Sequence, residues 1–118
     1  MAFDLVVKRI YEQPAPEDGQ RVLVDRIWPR GVSKEDAALT LWLKEIAPSD
    51  ALRKWFGHEP ERWAEFQKRY ASELDENGEA VAQLRALLGE GRVTLLYGAH
   101  DEAHSNAVAL AEYMHGTG

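Results

Sequence analysis

Short β-branched runs alternate with longer stretches of helical periodicity along this chain of 118 residues. Residues 4–10, Asp-Leu-Val-Val-Lys-Arg-Ile, read as a first strand, and Pro14, Pro16 and Gly19 then mark a loop. Arg21 to Ile27 reads as a second strand, with Val22, Val24 and Arg26 on one face and Leu23, Asp25 and Ile27 on the other. Trp28-Pro29-Arg30-Gly31 breaks it. Ser33 with Asp36 three residues later resembles a capping box and predicts a short helix over 34–38. Residues 40–47 read both ways: Leu39, Trp42, Leu43 and Ile46 fit a helix, while Leu41 and Leu43 alternate with Trp42 and Lys44 as in a strand. The shortness of the segment and Pro48 behind it favour the strand.

The helices that follow are plainer. Ser49 caps a helix near 50–56, and Pro60 suits a first helical position. Trp63, Phe66, Tyr70 and Leu74 then fall on one stripe with charged residues around the rest, the signature of a core-facing helix. Val81, Leu84, Leu87 and Leu88 define another helix, stopped by Gly89 and Gly91. Arg92 to Tyr97 reads as a buried strand. Asp101 caps a last helix that carries Ala107, Val108, Ala111 and Met114 inward and ends near His115. Strands alternating with helices predict one α/β domain over residues 1–118, a small, mostly parallel sheet of about four strands with helices on both faces.

Composition narrows the function classes. A hydrophobic fraction of 45% and a charged fraction of 29% describe a globular chain, and the length suits one domain. The net charge of −6 makes a duplex-DNA coat an adverse reading, because nonspecific phosphate binding needs a positive field. Without cysteine there is no disulfide and no thiol nucleophile. The first ten residues lack the layout of a signal peptide, and no stretch approaches the ~18–20 apolar residues of a membrane span. The expected location is the cytoplasm, with no membrane partner.

Against this acidic background Arg21, Arg26, Arg30 and Lys34 surround the single acid Asp25. In open parallel sheets ligands bind beyond the carboxyl ends of the strands, and this segment leaves one such end. Arg offers planar paired donors to carboxylate or phosphate, and the backbone N–H groups after Ser49 add a pole for an anion. The blander reading is that Arg26 pairs with Asp25 or a helix end and that Trp28 plugs the sheet edge. His100, Asp101, His104 and Asn106 form a second polar group. Zinc would want three or four ligands in fixed geometry, and His58 and His115 sit in unrelated segments, so no metal site and no cofactor are expected. His104, placed in the first helical turn, would have its pKa lowered and suit a general base. An ordinary half-buried histidine is the competing reading. One of Trp55 and Phe56 is expected to wall a pocket, since adjacent aromatics on a helix cannot both face inward.

Four segments resemble the DUF488 family, in its short YeaO-like branch. They are Arg21-Val-Leu-Val-Asp-Arg-Ile-Trp-Pro-Arg-Gly31, Trp42-Leu-Lys-Glu-Ile-Ala-Pro-Ser49, Leu52-Arg-Lys-Trp-Phe-Gly-His58, and Thr94-Leu-Leu-Tyr97 with Asp101, His104 and Asn106. The resemblance runs from about residue 5 to 114. It implies an α/β sheet and a strand at 41–46, aiming Lys44 or Trp42 at the same edge, but no particular reaction. Longer members tend to carry Cys-His-Arg early in the last helix. Ser105-Asn106-Ala107 stands in that region here, so thiol chemistry does not carry over.

The leading expectation is a cleft for a small anionic ligand, bearing phosphate or carboxylate. Arg26, Arg30, Lys44 and Arg53 would clamp charge, with Ser49 and Asn106 contributing, Trp28 walling the pocket, and His104 or Asp25 handling protons if there is catalysis. The alternatives are a nucleic-acid module in which Trp28 and Trp55 stack bases, and a protein-interaction domain whose aromatic residues form a homodimer face.

Overall fold

The computed structural model describes residues 4–117. Four strands, β1 (Leu5–Arg9), β2 (Gln20–Leu23), β3 (Leu41–Trp42) and β4 (Val93–Tyr97), form one parallel sheet in the order β1-β4-β2-β3. The five α-helices are α1 (Lys34–Ala37), α2 (Asp50–Phe56), α3 (Trp63–Asp75), α4 (Gly78–Leu88) and α5 (Asn106–Thr117). β4, the strand inserted last, lies between β1 and β2 and is buried along its length.

Side-chain alternation divides the sheet into two unequal faces. Val22, Val24, Val93, Leu95 and Tyr97 point to the larger core, where α2 to α5 add Leu52, Phe56, Phe66, Tyr70, Leu84, Leu110 and Met114. Leu23 and Leu96 point to the other face, covered by Ile10, by Ala37 of α1, and by Trp28 and Trp42. Trp28 and Trp42 meet edge-on, 5.2 Å apart.

The second face also buries charge. Arg21, 4% exposed, pairs with Asp18 and sends Nε and Nη2 to the Ala37 carbonyl at the end of α1. Asp18 accepts a second cation, Lys8, at 3.1 Å and the Ala15 N–H at 3.0 Å. Its backbone carbonyl accepts from the buried Thr94 hydroxyl. Burial alone would raise the Asp18 pKa. The Ala15 N–H and the two cations outweigh it, so the carboxyl titrates below its ordinary range.

Three expected boundaries shift for non-local reasons. β2 ends at Leu23 rather than Ile27: after the Val24 N–H bonds Leu96, the Asp25 carbonyl is captured by the Trp42 indole at 2.7 Å instead of a neighbouring strand. The ambiguous segment 40–47 splits, with two strand residues followed by a 3₁₀ turn, Lys44–Ile46. The Tyr70 hydroxyl, buried in the core, fixes that turn through the Ile46 carbonyl. α5 begins at Asn106, so His104 precedes the helix and does not sit in its first turn. The Asp101 carboxylate caps a separate turn through the Ala103 and His104 N–H groups, and Ser105 Oγ accepts from Val108 at the helix start. α2 spans the expected residues, with Ser49 as its cap.

Candidate functional site

The chain leaves β2 toward α1 on one face of the sheet and leaves β4 toward α5 on the other. Neighbouring strands whose exits diverge open a crevice at their carboxyl ends, the usual ligand position in such sheets. A cleft of about 200 Å³ lies there. Asp25, Arg26 and Ile27 line it after β2, and Ala99, His104, Ser105 and Asn106 after β4. Arg53, Phe56 and His58 come from the end of α2, Phe66 from α3, and Ala47 and Pro48 from the preceding turn.

Asp25 is half-buried and held from two sides. Its Oδ2 accepts the Gly98 N–H at 2.8 Å, and the Asn106 side chain also bonds it. Asn106 Nδ2 reaches the Val24 carbonyl at 3.0 Å as well, tying the start of α5 to the end of β2. Burial pushes the Asp25 carboxyl above its ordinary value, against the downward pull of those two donors. Asp101 moves the other way, held down first by its hydrogen bond to His104. The Asp101 carboxylate, 2.8 Å from His104 Nδ1, accepts from it, so the proton of that bond sits on Nδ1 and the ring is held in place. The His104 ring stands edge-on to Trp63, 5.2 Å away.

The cations differ in what they have left to offer. Arg26 donates from Nη2 to the Ala47 carbonyl at 3.1 Å and from Nε to Pro48 at 3.4 Å, so much of its guanidinium is engaged in holding the turn before α2. Arg53 has only a 3.5 Å contact with Asp50, and its side chain is 45% exposed. It lines the cleft, and its donors have no other partner among the described residues.

Of the residues expected at the site, Asp25, Arg26, Arg53, His104 and Asn106 converge on this cleft. Trp28 turns to the second core, donating to the Val32 carbonyl at 2.7 Å. Arg30 is exposed beyond the cleft and accepts the Tyr11 hydroxyl on its backbone carbonyl. Lys44 lies 5.2 Å from the Trp42 ring. Ser49 is occupied by Glu73, which accepts both its N–H and its hydroxyl while Ser49 Oγ caps Leu52. Phe56, rather than Trp55, walls the cleft; Trp55 lies under Arg69 and Arg62 instead. Sequence reasoning passed over His58 and Ser105. The signal for His58 was the glycine before it, which lets the chain reverse at the end of α2.

A family model described as the inactive DUF488-N3 subclade matches residues 4–117. The chain belongs to the DUF488 family. An uncharacterised protein of Mycobacterium tuberculosis is 47% identical over 110 residues, 93% of this chain and 92% of that protein. The uncharacterised protein YeaO of Escherichia coli is 40% identical over 112 residues, covering 95% of this chain and 97% of its own length. No solved structure matches. Among the described residues no helix is long and apolar enough to cross a membrane, and no group of three His, Cys, Asp or Glu side chains could hold a metal ion.

Proposed function

We propose that this DUF488 domain binds a small ligand with an anionic group, phosphate or carboxylate, in the cleft between β2, β4 and the start of α5. The observation that carries the reading is the approach of Arg26, Arg53 and His104, from three separate segments, to one crevice at the carboxyl edge of the sheet. Arg53 supplies the charge, because Arg26 is already committed to backbone carbonyls. Phe56, Phe66, Ile27 and Pro48 offer an apolar wall, so the ligand carries an apolar portion beside its anion. The volume suits a ligand smaller than a drug-sized molecule or dinucleotide, whose sites run to ~300–1,000 Å³.

Asp25 and His104 have the chemistry of an acid–base pair, one carboxyl raised by burial and one imidazole oriented by a carboxylate. The family description, inactive, favours holding a ligand without turnover. In that reading Asp25 and His104 orient the ligand by hydrogen bonding and transfer no proton.

Titration of the full chain with inorganic phosphate, phenyl phosphate and benzoate, followed by ¹H–¹⁵N chemical shifts, tests the reading. Phenyl phosphate is expected to shift the amides of Gly98, Ala99 and residues 104–107, and Arg53→Ala to weaken its binding about ten-fold, the effect of one charge-assisted hydrogen bond. Shifts elsewhere, or none for any of the three probes at millimolar concentration, would refute it.

A further inference from the structure

We infer that His58 is a binding residue of the cleft, donating to the ligand's anionic group beside Arg53; this rests on the anion-binding reading of the cleft. α2 ends at Phe56, and the next two residues both adopt left-handed backbone, Gly57 at φ 52° and His58 at φ 58°. Glycine adopts that conformation without cost, while residues with a side chain adopt it less often, histidine more readily than most. Two consecutive left-handed residues reverse the chain, and the reversal leaves His58 lining the cleft although its neighbours Gly57 and Glu59 do not. Its ring lies 6.1 Å from that of Phe56, the residue that forms the adjoining wall.

The imidazole has no structural duty to account for its place. It makes no hydrogen bond or ion pair with any described residue, and the residue is exposed. The other basic groups of the cleft are partly spent, His104 on Asp101 and Arg26 on the carbonyls of Ala47 and Pro48. Arg53 and His58, at the two ends of one short stretch of chain, keep donors for a ligand. Residues held at positive φ gather at ligand sites, and His58 combines that backbone with a place on the cleft wall. Ala38 is the useful contrast. It is the other non-glycine residue at positive φ among those described, closes α1 through the Lys34 carbonyl, and lies away from the cleft.

The test compares the whole chain with His58→Asn, His58→Gly, Arg53→Ala and Ala38→Gly, using phenyl phosphate and thermal unfolding. Asparagine tolerates the left-handed region and glycine prefers it, so both His58 variants are expected to melt no lower than the parent. Both are expected to bind phenyl phosphate about ten-fold more weakly. Ala38→Gly, which relieves a similar strain elsewhere, is expected to leave the affinity unchanged. If the parent binds and Arg53→Ala weakens binding while both His58 variants bind like the parent, the inference about His58 is overturned and the anion site stands. If the parent binds none of the probes, the anion site itself falls, and His58 with it. Lower melting of both His58 variants would also overturn the inference, since it would assign the residue a structural role.

Discussion

Asp18→Asn is the substitution with the largest consequence that follows from the second face of the sheet. Arg21 is buried, and its charge is balanced there by one carboxylate; Lys8, the other cation of the group, shares it. Neutralising Asp18 leaves two cations beside an uncharged amide oxygen, with the Ala37 carbonyl the other acceptor for Arg21. Removing one partner of a buried pair costs ~3–5 kcal/mol, mostly the uncompensated charge. A chain of this length has a total stability of roughly 6–18 kcal/mol, so the loss is a large fraction of it. At ~4 °C per kcal/mol for a domain of this size, Tm falls by roughly 12–20 °C. The converse variant, Arg21→Met, retains an apolar stem and leaves Asp18 paired with Lys8 and the Ala15 N–H, so it is expected to cost less, ~1–3 kcal/mol. The double variant should lose less than the sum of the two, by ~1–2 kcal/mol of coupling. Circular dichroism melts and urea titrations of the three variants read these values. The pH course carries a second check. Asp18 has a depressed folded pKa, so its contribution is present above the unfolded value of about 3.9 and is lost as pH falls through the folded one. The difference between parent and Asp18→Asn should therefore shrink only in strong acid. An Asp18→Asn protein within about 1 kcal/mol of the parent, or singles that simply add in the double, would refute the assignment of a buried charge network.

Asp25→Asn should behave in the opposite sense. Its folded pKa is raised, so the carboxyl favours folding below about pH 3.9 and that contribution is lost as pH rises through the folded value. The variant is expected to melt above the parent near neutral pH, the advantage vanishing in acid, and a pH-independent difference would count against burial as the cause. Gly19→Ala probes the entry to β2. Gly19 has φ 65° and ψ −130°, and a Cβ there would lie 2.5 Å from the Arg92 carbonyl oxygen, which accepts the Gln20 N–H. A loss of at least ~2 kcal/mol in urea titration is expected; a loss under ~0.5 kcal/mol would mean that the turn relaxes freely.

Features written in consecutive residues were legible before the fold was known. Ser49 followed by a seven-residue amphipathic run, and Ser33 three residues before Asp36, gave α2 and the start of α1 because a cap and its helix lie within one turn of each other. The Trp63 to Leu74 stripe was legible for the same reason. The end of β2 was not. It depends on an indole 17 residues away that takes the Asp25 carbonyl, and no local preference encodes such a bond. The same holds for Lys44–Ile46, where a tyrosine hydroxyl from α3 selects the turn over the strand.

The basic island shows why residue type alone pointed to the edge of the cleft but not to the residues that line it. Arg21, Arg26 and Arg30 are spaced along one segment and look equivalent in sequence, yet they meet three different environments. Arg21 falls on the second face and is neutralised by Asp18; Arg26 braces the turn before α2; Arg30 lies in solvent. What separates them is that Arg21 lies on β2 while Arg26 and Arg30 follow its end, and what the crossing segments place opposite each. The cation with donors to spare, Arg53, comes from a different motif, delivered by the length of α2 rather than by proximity in sequence. The proposed site therefore belongs less to the Asp25–Gly31 segment than to the junction at which Asp25 is clasped by Gly98 and Asn106, with the end of α2 beside it. A variant that loosens that clasp, rather than one that removes Arg30, is where a change of ligand affinity should first be sought.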